Sequence, residues 1–212
     1  MKSLFVALIT LGFLSSAWAQ DNNTLLDIQH QWSHINYQMT DNDKKVDAFK
    51  ALATKVEAMV KADPNNADDY IWLGIIQAST AQAKGGLGAL SFAKEAKKNL
   101  EHAIKINPNA SEGSAYTTLG VLYHKVPGWP IGFGSDSKAK KLLQKSIAIN
   151  PKGLDNNFFY AEFLYDDGDY KEAKKYLEIA QQAAPRENRP VAEAGRRKDL
   201  NALLEKVNKK LQ

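Results

Sequence analysis

The stretch AKKNLEHAIKINP at residues 96–108 returns as AKKLLQKSIAINP at residues 139–151. Ala96, Leu100, Ala103 and Pro108 match Ala139, Leu143, Ser146 and Pro151, and a third copy follows at Ala173, Leu177, Ala180 and Pro185. Small and large apolar residues spaced by three and four mark one face of a helix. The Asn-Pro pair ends each of the first two copies, because proline cannot continue a helix and disfavours helical backbone in the residue before it. A helix with one such face cannot bury it alone, so the repetition predicts helical hairpins stacked in order.

Working outward, the rest of the chain reads as helix throughout. Leu25, Ile28, Trp32, Ile35 and Met39 form one apolar stripe, and Val46, Phe49, Leu52, Val56, Met59 and Val60 form a second that ends at Asp63-Pro64. The expected hairpins cover about 23–64, 67–108, 111–151 and 154–185, with a capping helix over about 190–211. Two segments interrupt the helices inside hairpins. Gly85-Gly86-Leu87-Gly88 is read as a turn, since no strand precedes it and no Gly-Lys-Ser/Thr follows, as a phosphate loop would need. Residues 126–134, VPGWPIGFG, hold two prolines and three glycines and exclude a helix.

Composition sets the class. The 212 residues are 44% hydrophobic and 25% charged, as in an ordinary folded domain. The net charge of +4 comes mostly from lysines interspersed with acids, and the arginines are confined to Arg186, Arg189, Arg196 and Arg197. That pattern reads as a solvated surface and argues against a nucleic-acid partner. At the N-terminus Lys2, the apolar run Leu4 to Leu14 and the Ala-x-Ala ending at Ala19 have the form of a secretory signal peptide over residues 1–19. The run is shorter than the roughly 20 residues a spanning helix needs. The expectation is therefore a soluble periplasmic or secreted domain over 20–212, with no membrane span after cleavage. The absence of cysteine removes disulfides and thiolate chemistry.

Each hairpin shares a grammar: Leu73-Gly74 and Leu119-Gly120 in the middle of the first helix, then alanine, a large apolar residue, alanine and proline in the second. This resembles the tetratricopeptide repeat. Pro151 and Pro185 keep its 34-residue period, while the two earlier intervals are about ten residues longer, the extra residues lying between the helices of each hairpin. The resemblance covers about residues 66–185. It implies an all-α, right-handed α-solenoid with lengthened intra-hairpin loops. Gly74, Ala96, Ala103, Gly120, Ala139, Ala173 and Ala180 are then the residues that let helices pack closely. The lengthened hairpins are shared with the helical domain of the regulator of microtubule dynamics proteins. The run Leu119-Gly120, Tyr123, Pro127-Gly128-Trp129-Pro130 and Phe133-Gly134 resembles the T-component family of TRAP solute transporters and related exported bacterial proteins. That likeness implies a periplasmic, non-enzymatic binding protein without cofactor.

No catalytic set emerges. His30 and His34 have the spacing of two zinc ligands on one helix face, but the glutamate and third ligand of a zinc site are lacking. They read as surface histidines. Asp166, Asp167 and Asp169 lack the rest of a calcium loop and read as a capped turn. Arg196 and Arg197 read as partners of nearby acids. The aromatic loop is the leading binding candidate, since Pro and Gly hold Trp129 and Phe133 rigidly. Folding of both rings inward, as a plug between repeats, is the competing expectation. Together with Tyr116, Tyr123, Tyr160 and Asn157, they form the expected surface for a protein or peptide partner, in a groove lined by the first helices. A small solute is the second candidate ligand.

Overall fold

The computed structural model describes residues 16–212, with side chains from Thr24 onward. The expected leader lies outside the described residues up to residue 15, and the backbone of residues 16–19 is helical. Among the described residues there are nine α-helices and no strand: α1 Ser16–Gln38, α2 Asn42–Ala62, α3 Ala67–Lys84, α4 Ala89–Ile106, α5 Ser114–Lys125, α6 Asp136–Ile149, α7 Leu154–Asp166, α8 Tyr170–Gln181 and α9 Pro190–Lys210.

Local chemistry sets the ends. Asp41, Asn66, Ser135 and Asp169 each accept a backbone N–H of the helix that follows, at α2, α3, α6 and α8. The start of α5 departs from the expected helix at Ser111. Residues 110–113 instead form a 3-10 turn in which Ser111 and Glu112 have φ of 44° and 55°. The turn is tied from both sides: Ser111 Oγ donates to Asp68 Oδ1 at 2.5 Å, and Asn150 Nδ2 donates to Glu112 Oε2 at 2.6 Å. These bonds offset the cost of a left-handed backbone at two non-glycine residues.

Within each hairpin one glycine receives one leucine. A Cβ on Gly74 would stand 2.6 Å from Leu100 Cγ, and one on Gly120 would stand 2.7 Å from Leu143 Cγ. Leu100, Leu143 and Leu177 are fully buried, each stabilising the stack by about 2 kcal/mol. Ala96, Ala103, Ala139, Ala173 and Ala180 are likewise shut off from solvent. Ser146 takes the place of an alanine in this pattern, and its hydroxyl is satisfied by Thr117 Oγ1 at 2.5 Å and Asn156 Nδ2 at 2.6 Å. The main core runs from α3 to α9. A second cluster joins Ile28, Ile35, Phe49, Leu52 and Val56 of α1 and α2 to Trp72, Leu73 and Ile76 of α3.

The helices form two layers. The inner helices α1, α3, α5, α7 and α9 each touch the next, and α9 touches α1. The second helices of the hairpins, α2, α4, α6 and α8, lie outside this ring. The stack is therefore a solenoid of helical hairpins whose two ends meet.

Candidate interaction surfaces

The meeting of the two ends decides what the inner face can do. Tyr37 of α1 packs on Gly195 of α9, where any Cβ would overlap its ring. His30 Nε2 donates to the Asn188 carbonyl at 2.7 Å. Trp32 stands edge-on to Trp72 of α3 and donates its indole N–H to Ser79 at 2.9 Å. Arg196 reaches from α9 to α7, over the rings of Phe158 and Phe159 at 4.5 and 4.4 Å, and pairs with Asp155 at 2.7 Å. Arg186 binds the other oxygen of Asp155 and also Glu193 at 2.8 Å, and Glu193 pairs with Arg197 at 2.6 Å. Burial alone would raise the Asp155 pKa, but Arg196 and Arg186 outweigh it and hold the carboxyl below its usual range. Burial pushes the Tyr37 hydroxyl above its ordinary value. The groove expected along the first helices is thus filled by α1 and by Arg196.

Several side chains assigned to that groove lie inside the protein. Asn157 is fully buried and donates to the carbonyls of Pro151 at 3.0 Å and Gly153 at 2.8 Å, bracing the turn between α6 and α7. Its Oδ1 has no partner. Tyr160 is buried between Phe163 and Tyr176, with only its hydroxyl reached by Gln144. Tyr123 is buried under Phe133 and the Lys138 ammonium. These three are corrected from surface to core. An amide and two phenols read as polar in sequence, yet each finds its hydrogen bond or cation inside. Tyr116 remains half-buried, with Lys145 over its ring at 5.5 Å.

The aromatic loop divides its two rings. Phe133 turns inward, edge-on to Tyr123 at 5.4 Å, with Lys97 over its face at 5.8 Å. Trp129 turns outward and is 90% exposed. The loop closes on itself: Gly134 N–H donates to Pro127 O at 2.9 Å, Gly132 N–H to Gly128 O at 3.0 Å, and Ser135 N–H to Tyr123 O at 2.7 Å. A Cβ at Gly132 or Gly134 would collide with this backbone. The Trp129-Pro130 peptide is cis. At the base of the loop, His124 places its two ring nitrogens on Asp136 at 2.8 Å and Asp166 at 2.9 Å. Only the doubly protonated ring donates to both carboxylates. Lys125 also binds Asp166, at 2.6 Å, and stands 3.8 Å from Glu162. Burial would raise the Asp166 pKa, but the bonds from Lys125 and His124 prevail and lower it.

A further feature escaped the sequence. An open cleft of about 480 Å³ lies between α1 and α2, with Ile35, Ala48, Ala51 and Leu52 as its apolar part and His30, Gln31, His34 and Lys55 as its polar part. Lys55 Nζ donates to Gln31 Oε1 at 2.7 Å, bridging the two helices. His30 and His34 serve the Asn188 carbonyl and Gln38 respectively, rather than a common centre. The signal for the cleft was present in Ala48 and Ala51, too small to close the space between two helices. Among the described residues no three His, Asp or Glu side chains converge as metal ligands do, and no helix is long and apolar enough to cross a membrane.

No family model matches the sequence, and no curated protein matches it. Solved structures do match. The thermophilic tetratricopeptide-repeat protein TTC0263 of Thermus thermophilus aligns with a TM-score of 0.55 and 15% identity, covering 85% of this chain and 99% of that one. MamA aligns at 0.42 and 19% identity, covering 89% and 92%, and pilF of Pseudomonas aeruginosa at 0.36 and 14%, covering 90% and 92%. The first likeness, with the hairpin order and the glycine–leucine packing described above, shows the tetratricopeptide-repeat fold.

Proposed function

We propose that the chain is an exported, periplasmic scaffold without enzymatic activity that holds a protein or peptide partner. Tetratricopeptide stacks work by presenting packed helices rather than by assembling reacting groups. The form of residues 1–19 supports export, and the run from Leu119 to Gly134 supports kinship with the T-components of TRAP transporters.

The observation that carries the reading is the cleft between α1 and α2. An apolar centre of Ile35, Ala48, Ala51 and Leu52 with a polar rim has the layout of a protein interface. The alanines leave room for side chains of an incoming segment. The filled inner face makes this end of the stack a better seat than the groove. Ala51 is exposed, so Ala51→Trp fills the cleft without disturbing the core. The variant is expected to lose the partner captured by wild type from the exported fraction, at unchanged helical content. Capture of the same partner by both proteins would remove the cleft from the account. The cleft volume also suits a small solute, which native mass spectrometry of the exported protein would find as retained mass.

A further inference from the structure

Four large apolar side chains stand exposed among the described residues: Leu87 at 86%, Trp129 at 90%, Ile131 at 57% and, at the C-terminus, Leu211 at 39%. The first three share one edge of the stack. Leu87 sits in the loop between α3 and α4, Trp129 and Ile131 in the loop between α5 and α6. Both are lengthened loops within hairpins. They also touch: a Cβ on Gly132 would lie 3.4 Å from Leu90 Cδ1, and Leu90 N–H bonds to the Leu87 carbonyl at 3.3 Å.

This exposure is built rather than incidental. The Trp129 loop is closed by its own backbone bonds and anchored by Phe133, so the chain spends one ring on the core and holds the other out. Lysines surround the prongs. Lys84 ends α3 with its side chain against Gly88, Lys97 lies over Phe133, and Lys138 lies over Tyr123 in the first turn of α6. The acids nearest the Trp129 loop are already engaged, Asp136 by His124 and Asp166 by His124 and Lys125. The edge therefore shows apolar tips in a basic setting.

A protein counterpart would need separate sockets shaped for prongs on two loops. A lipid leaflet accepts such prongs without complementary shape. Tryptophan favours the boundary between headgroups and acyl chains, and lysines beside it are drawn to anionic headgroups. We infer that this edge docks on the surface of an anionic bilayer, inserting Leu87, Trp129 and Ile131 while Lys84, Lys97 and Lys138 meet the headgroups. Docking of this kind is peripheral. It leaves the cleft between α1 and α2, at the N-terminal end of the stack, to be read separately.

The test uses the full chain with vesicles of phosphatidylglycerol and phosphatidylethanolamine, against vesicles of phosphatidylcholine alone. Any affinity of the N-terminal apolar run is common to wild type and variants, so the readout is the difference between them. Wild type is expected to sediment with the anionic vesicles, with a blue shift in tryptophan emission. Trp129→Ser should weaken that binding roughly tenfold and abolish the shift, since one large apolar group no longer enters the interface. Leu87→Ser should weaken it as well, and Lys138→Glu should weaken it most at low salt. Circular dichroism of Trp129→Ser should match wild type, because the ring makes no core contact. The inference is overturned if Trp129→Ser binds as tightly as wild type, or if neutral vesicles bind equally. It is also overturned if a photo-crosslinker at position 129 gives only a protein adduct in the exported fraction. Ala51→Trp should leave vesicle binding intact, so failure here and failure of the partner cleft are told apart.

Discussion

Tyr37 and Gly195, from the first and last helices, are packed ring against backbone with no space for a side chain between them. This contact turns a row of hairpins into a closed ring of inner helices. It rests on the one glycine inside α9, where glycine otherwise costs about 1 kcal/mol relative to alanine.

Gly195→Val should therefore open the ring. The added side chain overlaps Tyr37, and relief requires α1 and α9 to part. A loss of about 1–3 kcal/mol is expected in urea unfolding. Hydrogen exchange should rise in α1 and the first half of α9 more than in α4 to α6.

Gly120→Ala carries a sign that tells packing from propensity. In an open helix the change stabilises by roughly 0.5–1 kcal/mol. Here the new Cβ meets Leu143 Cγ and approaches the Ala139 carbonyl oxygen at 3.3 Å, so a net loss of about 1–2 kcal/mol is expected. The double variant Gly120→Ala with Leu143→Ala should be less destabilised than the sum of the single changes, which a double-mutant cycle in urea measures.

Arg196→Met tests the ion pair that ties α9 to α7. Arg196 is buried, and its loss leaves Asp155 dependent on Arg186. About 3 kcal/mol of destabilisation is expected, because a charge loses its partner in a largely enclosed place. Thermal unfolding of the variant, compared with Arg196→Lys, separates charge from the stacking on Phe158 and Phe159, which lysine lacks.

The same carboxylates set the acid limit. Asp155, Glu193 and Asp166 are held below their ordinary pKa in the folded chain. Their contribution is present above the unfolded carboxylate value near ~4 and is lost as pH falls through the lower folded values. Stability should thus decline on acidification below about pH 4. Asp155→Asn, which cannot ionise, should start less stable and lose less over that interval in pH-dependent denaturation.

What the sequence disclosed follows from period. The alanines and leucines of the AKK copies are local, and their spacing fixes which face is buried; the structure shuts all of them from solvent. Ring closure was not legible, because it depends on the summed rotation of successive hairpins, although Gly195 in the middle of a helix was a trace of it. Asn157 misled for another reason. It stands at the register of Tyr70 and Tyr116, four residues before the small residue of its helix, and its amide was read as polar surface. The turn at Pro151 to Gly153 supplies two buried carbonyls that only a contact map reveals. The opposite fates of Trp129 and Phe133 could not be read either, since a loop of prolines and glycines has no period to sort its side chains.

The most direct test of the scaffold reading is a photo-crosslinking residue at position 51, in the cleft between α1 and α2, activated in the native exported fraction. One discrete protein adduct is predicted at position 51, lost when the cleft is filled from the other side by Ala48→Trp. A correctly folded protein that gives no adduct there, or the same adducts as a probe placed at exposed Lys206, would contradict it.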